Sequence, residues 1–103
     1  MDSYLKMQSE QGKVWNRMIG QLVTSKAGHD KGVLYVVVKQ EGEFVYLCEG
    51  RLKTPENPKK KRLKHIQPIN AYVSGELVEK LKCETKVYAE EIKYALKQYS
   101  NQM

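Results

Sequence analysis

Apolar residues recur in two different rhythms along this chain. Between residues 20 and 53 they alternate or cluster in short runs punctuated by glycine, a pattern that predicts strands. Between residues 74 and 100 they return every three or four positions, which predicts helices.

In the first region, Gln21 to Ser25 reads as a short strand. Lys26-Ala-Gly-His-Asp-Lys-Gly32 follows as a turn, because Gly28 and Gly32 reach positive φ at little cost. Val33 to Val38 is dense in β-branched and aromatic residues, the strongest strand signal in the chain. Val33, Tyr35 and Val37 point one way and Leu34, Val36 and Val38 the other. Both faces are apolar, so this strand is expected to be covered on both sides, as in a small closed barrel. Glu41-Gly42-Glu43 predicts a hairpin turn, Phe44 to Glu49 the return strand, and Arg51 to Lys53 a further short strand after Gly50. Pro55 and Pro58 predict an extended loop over residues 54–62. Leu63 and Ile66 then bring the chain back to the core, and Pro68 is expected to end that strand.

In the second region Ser74 is a candidate N-cap, with Glu76 and Glu79 near the positive helix end. Leu77, Val78 and Leu81 form one stripe and Ile92, Ala95, Leu96 and Tyr99 another. The β-branched Thr85 and Val87 fall between them, which favours two short helices with a break near 83–87. Residues 1–19 carry no such rhythm. Trp15, Met18 and Ile19 fit one face of a short helix, and a loosely ordered arm fits equally well. The expected layout is an N-terminal arm over 1–19, a barrel over 20–70 and a helical tail over 71–103.

The chain has 103 residues, 41% of them apolar, enough for one core. No apolar run is long enough to span a membrane as a helix, and the N-terminus lacks a secretory pattern. Cytoplasmic residence is therefore expected. Cys48 and Cys83 are too few and too far apart to read as a secreted disulfide framework, and Cys48 reads as a small core residue.

The net charge of +6 has a single source. Over residues 51–70, Arg51, Lys53, Lys59, Lys60, Lys61, Arg62 and Lys64 face Glu56 alone, whereas the rest of the chain is balanced. A focused field of this kind steers a polyanion.

Gly20 to Val38 resembles the KOW motif found in ribosomal proteins and transcription elongation factors: a strand, a glycine-containing turn, and an apolar strand. Gly28 and Gly32 match its turn glycines, and Lys31 stands just before the second. Gly50-Arg51, Pro58-Lys59-Lys60-Lys61 and Lys64-His65-Ile66 look like small bacterial KOW-domain RNA-binding proteins. Those are similar to a family of archaeal and eukaryotic large-subunit ribosomal proteins. The resemblance covers roughly residues 20–70, and the tail helices also look like the family's. It implies an SH3-like barrel and RNA binding at the ribosome. His29 stands where these relatives usually carry Arg, and Glu49 where Asp usually precedes the glycine.

On this reading RNA meets two clusters. Lys59, Lys60, Lys61, Arg62 and Lys64, with His65, sit in or beside the proline-stiffened loop, and Arg51 and Lys53 precede it. The turn contributes Lys26, Gly28, His29 and Lys31, whose backbone N–H groups suit phosphate. The ordinary alternatives are a solvated charge run and a plain β-turn. Tyr35, Phe44 and Tyr46, set among valines, read as core. Recognition then rests on backbone and shape, and structured RNA is the expected partner.

His29-Asp30 is not expected to form a catalytic pair, since adjacent turn residues seldom face each other and no nucleophile accompanies them. His29, His65, Cys48 and Cys83 lack metal-ligand spacing. Neither catalysis, a metal, a cofactor nor a small-molecule substrate is expected. Ribosomal proteins are further candidate partners. The competing reading is a protein-interaction module of the transcription or translation machinery, docking through Ile92, Leu96 and Tyr99.

Overall fold

The computed structural model describes residues 18–101. The expected arm therefore lies outside the described residues, apart from its last two: Met18 and Ile19 form a turn with Gly20, closed by the Gln21 N–H donating to the Met18 carbonyl at 2.9 Å.

The strand rhythm produces a five-stranded antiparallel sheet in the order β4-β3-β2-β1-β5. Its strands are β1 (Gln21–Ser25), β2 (Leu34–Glu41), β3 (Phe44–Cys48), β4 (Lys59–Arg62) and β5 (Ile66–Tyr72). Gly42 and Glu43 make the tight turn between β2 and β3, with Gly42 at φ +58°. A 3₁₀ turn, Leu63–His65, joins β4 directly to β5.

That connection dictates the shape of the sheet. β4 and β5 are its opposite edges, about 19 Å apart if it were flat. The four Cα steps from Arg62 to Ile66 span at most about 14 Å. The sheet must therefore curl. Bulges between Val37 and Lys39 and between Gln21 and Val23 supply the bend. No β4–β5 ladder forms among the described residues, so the sheet is curled but open.

Curling makes one face concave. Val23, Tyr35, Val37, Val45, Leu47 and Ile66 fill it, with Leu63 at its margin. The opposite face, carrying Leu22, Val36 and Cys48, is covered by helices α1 (Gly75–Lys82) and α2 (Ala89–Asn101), which bring in Leu77 and Ile92. Both faces of β2 are thus buried, one by the sheet's own curl and the other by helices.

The helices begin and end as their residues suggest. The Ser74 hydroxyl accepts the Leu77 N–H at 3.2 Å. The break between helices runs over residues 83–88, with Glu84 at φ +57°. Lys80 of α1 pairs with Glu91 of α2 at 3.0 Å, and Glu91 also accepts the Tyr88 N–H. The two helices form a second layer over the sheet. Of its stripe, Ile92 is buried, and Leu96 and Tyr99 pack half-buried against the same core cluster.

Three local expectations are corrected. Residues 59–62 form edge strand β4 rather than loop, because their alternate side chains find partners along β3. Arg51 to Lys53 form no strand: the Glu49 carboxylate accepts the Arg51 and Lys53 N–H groups at 2.7 and 2.8 Å and folds the chain into a loop. Burial works against the Glu49 charge, but these backbone donors outweigh it and lower the carboxyl pKa. Pro68 does not end its strand. It sits inside β5, which as an edge strand needs N–H donors on one side only.

Gly50 shows why the glycine after Glu49 matters. It has φ +89°, and a Cβ there would lie 2.5 Å from Lys93 Cγ and 2.8 Å from the Ala89 carbonyl oxygen. Helix α2 rests directly on this backbone.

Candidate nucleic-acid interface

The pleat of β4 divides its four cations. Lys59 and Lys61 lie opposite Leu47 and Val45, on the concave side, whereas Lys60 and Arg62 lie opposite Tyr46 and Phe44 on the outer side.

Lys61 turns inward. Its side chain is 10% exposed, and its Nζ lies 3.0 Å from Asp30 Oδ1. The same oxygen accepts the Ser25 hydroxyl at 2.9 Å, and Oδ2 accepts the Tyr35 phenol at 2.8 Å. Burial alone raises the Asp30 pKa. Hydrogen bonds from Lys61, Tyr35 and Ser25 overcome this and hold it at about 2. Burial, then the bond to Asp30, pushes the Tyr35 phenol up. Asp30 thus ties the β1–β2 turn to edge strand β4, 31 residues away in sequence. His29 is exposed and Asp30 points inward, so the two form no pair.

The strut positions the turn. Gly28, at φ +89°, arches over the Lys61 ammonium, to which an added Cβ would come within 3.7 Å. The Lys26 N–H donates to the His65 carbonyl at 2.8 Å. The turn is therefore fastened to both β4 and the 3₁₀ segment. Lys26, His29 and Lys31 are exposed along it, Lys64 is exposed on the 3₁₀ turn, and His65 is half-buried. Within the turn the N–H groups of Lys26, Lys31 and Gly32 bond to backbone carbonyls. Those of Ala27, Gly28, His29 and Asp30 have no backbone partner among the described residues. An anion approaching this turn meets unused donors flanked by cations.

The outer pair behaves differently. Lys60 is exposed, and its Nζ lies 4.4 Å from the Phe44 ring centroid. The Arg62 guanidinium lies 4.8 Å from the same ring and 3.0 Å from Glu43. Phe44 and Tyr46 are half-buried on the outer face, so the core expectation holds for Tyr35 alone. Arg51 and Lys53 belong to the Glu49 loop beside α2, and no hydrogen bond or ion pair joins that loop to the turn among the described residues.

Sequence reasoning missed Asp30, Ser25 and Tyr35 as the anchor, because their convergence with Lys61 depends on the curl. It also missed the outer position of Phe44 and Tyr46. That signal was present: Val45 and Leu47 occupy the other parity of the strand.

Both cysteines are free, Cys48 buried and Cys83 exposed, and burial pushes the Cys48 thiol up to about 12. Among the described residues no three potential metal ligands come together, and no helix is long and apolar enough to cross a membrane. No protein-family model matches the chain, and no curated protein matches it either.

Proposed function

We propose that this chain is a non-catalytic RNA-binding protein of the KOW type, acting at the ribosome and built on an SH3-like barrel. The barrel reading is supported by the strand order and by the short 3₁₀ link between the two edge strands. RNA binding is supported above all by one observation. The Lys26–His65 hydrogen bond and the Lys61–Asp30 pair fasten the basic turn to the 3₁₀ segment and to β4, so that the exposed cations of the turn stand beside Lys64, over thirty residues away in sequence. A pre-formed cationic surface loses little entropy on meeting a phosphate backbone.

In this reading Lys26, His29, Lys31, Lys60, Arg62 and Lys64 contact the backbone, with Lys59 and His65 at the margin. Arg51 and Lys53 contribute to the long-range field. Lys61 acts from within, by holding the turn.

The test is fluorescence anisotropy with ribosomal RNA hairpins across a salt series. With four to seven phosphates contacted, log Kd against log salt should have a slope of magnitude roughly 3–6. Replacing Lys59, Lys60, Arg62 and Lys64 together by Ala should remove more than half of it while the thermal unfolding midpoint stays nearly unchanged. An unchanged slope overturns the assignment.

A further inference from the structure

The outer face of β3 is only partly covered. Its Cys48 end lies under the helical layer, and its Phe44–Tyr46 end does not. The two rings stand on the same side of one strand, about 7 Å apart along it. In register across from them on β4 are Arg62 and Lys60. Lys60 lies within 4.4 Å of the Phe44 centroid and 6.0 Å of the Tyr46 centroid, and Lys39 within 5.6 Å of Tyr46. The Tyr46 end opens onto a cleft of about 840 Å³, whose walls include Lys39, Pro58, Leu81 and Val87.

We infer that this face is a stacking platform for unpaired nucleobases, separate from the phosphate-binding turn. The inference rests on the RNA-binding reading and assigns it a second kind of contact: single-stranded RNA beside the structured helix. Flat aromatic faces on an open sheet are sequence-tolerant partners for bases, and a guanidinium plane stacks in the same way. Lys60 rests over Phe44 on an exposed, flexible stem, so it can swing from the ring to an adjacent phosphate.

Two carboxylates set the character of the site. Glu43 pairs with Arg62 at 3.0 Å, and Glu41 pairs with Lys39 at 3.1 Å while accepting the Tyr46 phenol at 3.0 Å. Three cations against two acids leave little net field. Stacking therefore adds to the phosphate contacts of Lys60 and Arg62 a component of binding that does not depend on salt.

The experiment compares an unpaired octamer with a blunt duplex, using the wild-type chain and the double variant Phe44→Leu, Tyr46→Leu. Leucine retains apolar bulk on the strand. Stacking on each ring corresponds to at least about a fivefold change in affinity, so the double variant should bind the octamer at least about twentyfold more weakly. Duplex affinity and its salt slope should stay within twofold of wild type. In the unmodified protein, ring protons of Phe44 and Tyr46 should move upfield in NMR spectra on adding the octamer, the ring-current signature of stacking, and show no upfield shift with the duplex. This second readout holds even where the variant folds poorly. Ring protons that show no upfield shift with the octamer while the duplex still binds, or equal losses for both RNAs, overturn the platform and leave the phosphate-binding reading intact. Failure to bind either RNA overturns both.

Discussion

β4 carries two ion pairs of the same length in different surroundings. Lys61–Asp30 and Arg62–Glu43 both measure 3.0 Å, but the first pair is 10% and 16% exposed and the second 46% and 69%. Adjacent residues of one basic run therefore do different work. The inner pair is shielded from water and salt, and Asp30 also accepts two hydroxyl hydrogen bonds, so it fixes the turn. The outer pair is screened and exchangeable, which leaves Arg62 available to a competing anion. A charge run is thus not a functional unit. The pleat sorts it into a structural half and a ligand-facing half.

The largest test of this contrast is stability. Lys61→Ala leaves the Asp30 carboxylate with two neutral donors in a poorly hydrated place, and the expected loss is about 2–3 kcal/mol in urea unfolding. An effect no greater than that of Arg62→Ala would erase the distinction.

Acid should probe the same strut. The folded Asp30 pKa is about 2 against 3.8 for the free group, so the unfolded chain binds the proton more readily. The carboxylate therefore contributes about 2 kcal/mol above roughly pH 5, which declines as pH falls through 3.8 and is gone below 2. Asp30→Asn should be less stable than wild type at pH 7, and the two urea midpoints should converge toward pH 2. A constant offset between them across that range would contradict the strut.

Salt dependence sharpens the contrast from the ligand side. Lys60→Ala should reduce the magnitude of the RNA-binding salt slope by about one, the signature of one lost phosphate contact. Lys61→Ala should change the slope by less than Lys60→Ala does in any preparation that remains folded. The smallest effect belongs to the outer pair's own stability: Arg62→Ala should shift the unfolding free energy by less than about 1 kcal/mol.

Much of this was legible in the linear pattern. The alternating residues of β1 to β3, the Ser74 cap and the interruption between the helices follow from side-chain period and local backbone preference. The basic stretch as a focus of charge was legible too. Pro68 misled because a proline in an edge strand and a proline after a strand look alike until the neighbours of that strand are known. Lys59 to Arg62 misled because four consecutive cations have no apolar alternation, and only the opposing residues of β3 reveal which two face inward. Leu52, 82% exposed at the tip of the Glu49 loop, has no explanation in the fold.

By itself, then, the order of residues determined the strands β1 to β3, the helices and where positive charge accumulates, since each depends on neighbours a few positions away. Tertiary structure decided the rest. Only when the edge strands β4 and β5 are joined by three residues must the sheet roll, and only a rolled sheet brings Asp30 to Lys61 while leaving Phe44 and Tyr46 outside. Contacts between residues distant in sequence are set by how the sheet curls, and no local rhythm encodes that.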